Sequence, residues 1–160
     1  MQNKKSLVKT KYAEYIRDFT ALGNPFLLLL VTFCTLGTLP YAEALKISGI
    51  LLLGFFASEF MCSGIKILWH KPRPNGQTFE SALEKVDAGS FPSIHACRVS
   101  FVYGSLAYIQ HDNYQYMLVC TFVIMMVGYS RVFLKKHFPS DVIAGYCFGS
   151  LTLFFSSFLY

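Results

Sequence analysis

The sequence predicts an all-α fold, a polytopic membrane bundle of about five transmembrane helices with a short interfacial helix at the N-terminus. Two observations carry this. Of 160 residues, 54% are hydrophobic and only 14% are charged, and the mean hydropathy is +0.43. A chain this short has too much surface to cover with so few charges if that surface meets water. The hydrophobic residues are also gathered into runs of about 20, the length at which a helix crosses a hydrocarbon core about 30 Å thick. The same composition excludes a disordered chain, a collagen-like fibre and a disulfide scaffold. No repeat, low-complexity tract or composition shift divides the chain, so residues 1–160 read as a single membrane-embedded domain.

The elements follow in order. Lys4, Lys5, Lys9 and Lys11 precede the first apolar run and resemble the n-region of a signal peptide. Ala42-Glu43-Ala44 has the form of a cleavage site, but the run is longer than a typical h-region, so the segment reads as a retained span. Over 12–19, Tyr12, Tyr15, Ile16 and Phe19 share one helical face. That segment is either a helix lying at the membrane surface or a polar cap on the first span. Spans are expected near 21–39, 47–69, 93–110, 114–134 and 141–160. Pro40 punctuates the end of the first. Glu59 alone interrupts the apolar part of the second, and His111-Asp112-Asn113 makes a tight turn between the third and fourth.

The net charge is +5. A basic chain can bind nucleic acid, but here the basic residues flank apolar runs and form no face of their own. Anionic lipid headgroups suit that pattern better. Cys34, Cys62, Cys97, Cys120 and Cys147 form no Cys-x-x-Cys pair and read as small buried apolar groups.

Five spans put the N-terminus, the 70–91 loop and the 135–140 loop on one side. Almost every unusual polar residue lies there: Lys66 and Arg73 at the end of span two, Ser93, His95 and Arg98 at the start of span three, Arg131 at the end of span four, His137 and Asp141 at the entry to span five. Each has a plain structural explanation alone. Lys66, Arg73 and Arg131 can snorkel to headgroups. Asp141 can be a first-turn acid with Ser140 as the helix cap. Gathered at one membrane level, where ionisable groups are costly, they read as a site. Cations and helix-start N–H groups hold an anion, and the Arg fork suits phosphate oxygens. Two histidines add proton transfer or nucleophilic attack. His137 and Asp141, four apart, are spaced so that the carboxylate can accept the ring N–H. No Cys/His cluster has zinc spacing and no carboxylate pair suits two metals. Metal-independent phosphoryl transfer uses the whole set.

The residues also resemble a known family. Lys66 through Arg73-Pro74 has the Lys-x6-Arg-Pro form of the type 2 phosphatidic acid phosphatase superfamily, which includes the vanadium haloperoxidases. Pro92-Ser93-Ile94-His95 resembles its Pro-Ser-Gly-His motif. Ser130-Arg131, His137 and Asp141 match its Ser-Arg-x5-His-x3-Asp motif without a gap. The resemblance implies that His137 takes the phosphoryl group as a phosphohistidine, that Asp141 orients it, and that His95 protonates the leaving alkoxide. It implies that Lys66, Arg73, Ser93, Ile94 (through its amide) and Arg131 hold the phosphate oxygens, with no cofactor. Expected partners are the bilayer and a lipid phosphate or diphosphate, with no nucleic acid. Phosphatidic acid, phosphatidylglycerol phosphate, a polyprenyl diphosphate and lipid A phosphates all fit.

Two departures stand out. Ile94 replaces the motif's glycine, and a β-branched residue resists φ > 0. Many membrane relatives have six spans, where five are expected here. Arg98 lies one turn beyond His95 and can contact a second phosphate or headgroup. Glu59 can instead neutralise Arg98 or Lys66 inside the bundle. His70 and Lys71 read as solvated loop residues. The competing classes are a non-enzymatic lipid-phosphate-binding protein, a phosphotransferase to an alcohol, and a vanadium haloperoxidase, whose relatives are mostly soluble where this chain is not. The expected location is a bacterial inner membrane. The lysines put the site on the cytoplasmic side, whereas bacterial relatives commonly place it outside.

Overall fold

The computed structural model describes Ile16, Asp18, residues 20–75 and residues 88–160. Among the described residues are five helices: α1 (Pro25–Leu36), α2 (Tyr41–Leu68), α3 (Ile94–Ile109), α4 (Tyr114–Phe133) and α5 (Pro139–Ser157). The interfacial helix expected over 12–19 falls largely outside the described residues.

The first span is shorter than expected. Asn24 caps α1 by accepting the Phe26 N–H at 2.9 Å, Pro25 opens the helix, and the Gly37 N–H closes it on Phe33 O. These signals cut the 21–39 run to 12 residues, about 18 Å of helix and short of the hydrocarbon core. The second span is longer, because Pro40 starts a helix as readily as it ends one. α2 begins at Tyr41 and runs 28 residues. Its Lys46 Nζ reaches the Tyr160 carbonyl at 2.8 Å and ties the helix to the C-terminal end.

α3 is the centre of the bundle. It packs most extensively on α5, then on α4 and α2. Ala96, Val99, Phe101 and Leu106 have no exposed surface at all. A helix enclosed by protein need not be uniformly apolar, so α3 tolerates Arg98, Ser100 and Ser105 where a lipid-facing helix does not. By contrast α2 and α4 pass length and hydropathy criteria for a membrane span unaided. Their outward faces carry exposed Leu53, Phe60, Phe122 and Met125, as lipid contact requires. Two cysteines depart from expectation: Cys34 and Cys147 are exposed, while Cys62, Cys97 and Cys120 are buried. In a bilayer a small apolar thiol is equally at home on either face of a helix.

Between apolar helices in lipid there is little hydrophobic drive, so close backbone packing and satisfied polar groups hold the bundle. α5 presents Gly145 and Gly149, one turn apart, to Ser93, Ala96, Cys97 and Ser100 of the α3 segment. A Cβ at Gly145 would lie 2.5 Å from the Ser93 carbonyl oxygen and 2.9 Å from Ala96 Cβ. One at Gly149 would collide with Ser100 Oγ and Cys97 O. Gly145→Val is therefore expected to lower the thermal midpoint in detergent, by an overpacking cost of about 1–3 kcal/mol or more. Gly49→Ala is the control: nothing lies within 4 Å of that position, and alanine favours the helix by about 1 kcal/mol.

Candidate active site

The spacing between Arg131 and His137 is the geometry of one helix ending. α4 closes with Lys135 at φ 54°, the left-handed residue of a Schellman reversal. The Lys135 N–H bonds to Val132 O, and the Lys136 and His137 N–H groups both bond to Arg131 O, at 3.0 and 3.2 Å. The chain thus turns back on Arg131 and delivers His137 beside it. The spacing between His137 and Asp141 is one helix beginning. Phe138 is the N-cap of α5, Pro139 fills the first turn, and Asp141 Oδ2 accepts the Phe138 N–H at 2.9 Å. Ser140, expected as the cap, is inside the helix.

Backbone pairing joins the other two segments. Ser90 N–H donates to Lys71 O at 2.7 Å, and Pro72 and Gly89 form an isolated antiparallel bridge. Lys66 Nζ, in the last turn of α2 and 1% exposed, donates to the Gly89 carbonyl at 2.5 Å. Ser93 caps α3, and its own N–H donates to Asp141 O at 2.9 Å. The Gly23 turn before α1 backs onto the His95 ring, since a Cβ there would stand 3.1 Å from His95 Cδ2.

Six residues line the resulting pocket of about 90 Å³: Lys66, Arg73, Ile94, His95, Arg98 and His137. Larger clefts exist, including one of about 310 Å³ between α1 and α2, but their walls are nearly all apolar. The small pocket holds the convergent ionisable groups that chemistry requires. Arg131, Ser93 and Asp141 are buried behind it, not on its wall. Among the described residues no three His, Cys, Asp or Glu side chains gather as a metal-ligand group.

His137 is 2% exposed. Its Nδ1 lies 2.7 Å from the Ser90 carbonyl oxygen. A carbonyl only accepts, so Nδ1 carries the proton, and in the neutral ring the lone pair sits on Nε2. Burial, then the charges of Arg131, Lys66 and Arg73, pull its pKa down to about 3, against the Ser90 carbonyl, which favours the proton. His137 is therefore neutral at pH 7.

That depression has a consequence for stability. Unfolded chain takes up a proton at this site below the ordinary pKa near 6.5, while the folded chain does not. The stability that His137 contributes by staying neutral is full above about 6.5 and declines as pH falls toward 3. The thermal midpoint in detergent is expected to drop between pH 7 and pH 4, and less steeply in His137→Gln.

The carboxylate is not where the spacing suggested. Asp141 makes no direct bond to His137. It accepts from Ser90 Oγ, from Lys71 Nζ at 2.5 Å and from the Phe138 N–H. As the third residue of α5 it folds back to cap its own helix, which turns it from the ring. The link to His137 runs through Ser90, whose hydroxyl meets Asp141 and whose carbonyl meets the ring. Lys71 is no solvated loop residue either. Besides Asp141, its Nζ lies 4.6 Å from the Phe138 ring centroid. Ser90 and Lys71 both stand within or beside the quoted motifs, but a motif letter does not say which backbone carbonyl a ring will meet.

Ile94 is the first residue of α3, and positive φ among non-glycine residues occurs only at Lys135 among those described. The helix start has ordinary dihedrals, and its N–H is one of those a helix leaves without an internal partner. Arg98 is paired as expected: its Nε and Nη2 donate to the two carboxylate oxygens of Glu59.

Comparison with known proteins agrees with this geometry. The family model of the PAP2 superfamily matches residues 48–159, a range that contains every residue of the three motifs. Phosphatidylglycerophosphatase B of Bacillus subtilis (strain 168) is 29% identical over 152 residues, covering 88% of this chain and 71% of its own. The crystal structure of the first transmembrane PAP2 type phosphatidylglycerolphosphate phosphatase from Bacillus subtilis superposes with a TM-score of 0.74 at 24% identity, over 91% of this chain and 75% of that one. Family match, relative and fold point the same way, and the chain belongs to the PAP2 superfamily.

Proposed function

We propose that this protein hydrolyses the terminal phosphomonoester of a membrane lipid through a phosphohistidine on His137, without a metal ion. Phosphatidylglycerophosphate is the first candidate substrate, from the names of the relatives. One observation carries the reading: a neutral His137, its Nδ1 proton fixed on Ser90 O, lines a pocket shared with Lys66, Arg73 and His95.

In the proposed reaction Nε2 of His137 attacks phosphorus and the P–O bond to the lipid alkoxide breaks. His95, protonated, donates its proton to that alkoxide. The lipid alcohol leaves. His95 then takes a proton from water, the hydroxide displaces His137 from phosphorus, and inorganic phosphate departs. Lys66, Arg73 and Arg131, with the Ile94 N–H and capping Ser93, offset the charge on the equatorial oxygens. Electrostatic stabilisation of this kind is usually the largest single term. The ordinary helix start at Ile94 supports an active enzyme over a silent binder.

The membrane is proposed to be a bacterial inner membrane, with the site facing the cytoplasm. Lys4, Lys5, Lys9, Lys11, Arg17, Lys85, Lys135 and Lys136 favour that side. Lys71 leaves the tally, because it serves Asp141. A single cysteine near Lys5, in a variant lacking the five native ones, is expected to resist an impermeant thiol reagent added outside intact cells. Labelling from outside overturns the orientation.

The test of function is phosphate release from a panel of lipid phosphates in detergent with excess chelator. Chelator-resistant release, fastest on phosphatidylglycerophosphate, is expected. Release that chelator abolishes and metal restores overturns the metal-free mechanism. No release from any lipid by folded protein overturns the enzyme reading, and Ile94→Gly then tests whether that side chain is the block.

A further inference from the structure

We propose that Arg98, held by Glu59, is a specificity residue that recognises a second anionic group on the substrate, a phosphodiester between the reacting phosphate and the lipid chains. This rests on the phosphatase reading above and names what that same site selects.

The order of residues along α3 carries the argument. Ser93 and His95 are at its start, Arg98 is one turn on, and Val102 one further turn on. His95 and Arg98 line the polar pocket. Val102 lines the apolar cleft between α1 and α2, along with Leu28, Leu51 and Phe55. Arg98 stands at the junction, with its guanidinium carbon 5.9 Å from the centroid of the Phe55 ring. A lipid whose terminal phosphate sits beside His137 and His95 and whose chains lie in that cleft must pass Arg98. Successive turns are about 5 Å apart, the scale of a short polyol linking a terminal phosphate to a diester. A lipid with one phosphate attached straight to its glycerol has no anion at that depth.

Glu59 makes such a contact selective. Its carboxylate engages Nε and Nη2 and leaves the N–H groups of Nη1 for a further acceptor. Both side chains are mostly enclosed, at 16% and 22% exposure. An unpaired arginine there would be costly and would attract any anion. Paired, it is pre-aimed and electrically quiet, and only a ligand placing an anion against Nη1 gains from it.

The test compares kcat and KM on phosphatidylglycerophosphate, which has the diester, and on phosphatidic acid with the same chains, which lacks it. Wild type, Arg98→Gln, Arg98→Lys and Glu59→Gln are assayed, each checked for folding by thermal melting. Arg98→Gln is expected to lower the ratio of kcat/KM between the two lipids by about 10- to 100-fold, mostly through KM, the effect of losing one charge-assisted contact. Arg98→Lys should fall between, keeping the charge without the fork. Glu59→Gln should also lower the ratio, because an Arg98 without its carboxylate partner attracts either lipid. An unchanged ratio in folded Arg98→Gln and Glu59→Gln, whatever the absolute rates, overturns the proposal and leaves the pair a structural bridge between α2 and α3. Failure of wild type to release phosphate from either lipid overturns the phosphatase reading instead.

Discussion

His137→Ala is expected to abolish phosphate release, with kcat down at least about 10⁴-fold, because it removes the nucleophile itself and not an accessory to it. The fold should survive. His137 lies in the reversal between α4 and α5, and its backbone N–H, which bonds to Arg131 O, is kept in alanine. The Ser90 carbonyl loses its partner, a cost of about 1–3 kcal/mol, partly offset by the relief of burying an imidazole among cations. Two readouts separate chemistry from binding. Rapid quench of wild type with radiolabelled lipid phosphate should trap an acid-labile, base-stable phosphoenzyme, the lability of a phosphoramidate. His137→Ala should trap none and still bind the lipid. An acid-stable phosphoenzyme, or full activity in the variant, sinks the histidine mechanism. His95→Ala is the complement: it should accumulate the phosphoenzyme if its second role is to activate water.

The sequence was most informative where spacing is tied to a helix end. Ser-Arg-x5-His-x3-Asp compresses one Schellman reversal and one helix start, so its register fixes where Arg131, His137 and Asp141 stand in the chain. Glu59 and Arg98 were legible for the same reason, as regular turns of helices that pack. Boundaries were less so. Apolar residues continue past Leu36 and before Asn24, and only Gly37 and the Asn24-Pro25 pair stop α1. Hydropathy counts the residues and misses the stop. The contacts of Asp141 were not legible either. Four residues along a helix brings two side chains together only when both are helical, and His137 precedes the N-cap. Its ring answers to Ser90, 47 positions away. Lys71 was misread because a lysine in a short loop is usually solvated, and nothing local says that Asp141 and the Phe138 ring will meet it.

That rerouting separates two accounts of Asp141. If it steadied His137 directly, Ser90 would be a bystander and Ser90→Ala would leave kcat alone. With Ser90 between them, Ser90→Ala keeps the carbonyl that accepts Nδ1–H but removes the hydroxyl that ties this segment to Asp141, and should lower kcat by about tenfold, leaving KM nearly unchanged. Asp141→Asn should cost more, about 10²-fold in kcat, the scale of a misplaced reacting atom. An amide keeps one acceptor for three donors, so its NH₂ must face Lys71 Nζ, the Phe138 N–H or Ser90 Oγ, and the charge that held Lys71 is gone. The double variant should be little worse than Asp141→Asn, because both changes cut one chain of contacts. Multiplicative losses would mean that the two residues act on His137 independently. The pH profile adds a second check. Ser90→Ala keeps the backbone carbonyl that raises the pKa of His137. The acid limb of kcat should therefore keep its place in pH while the rate falls.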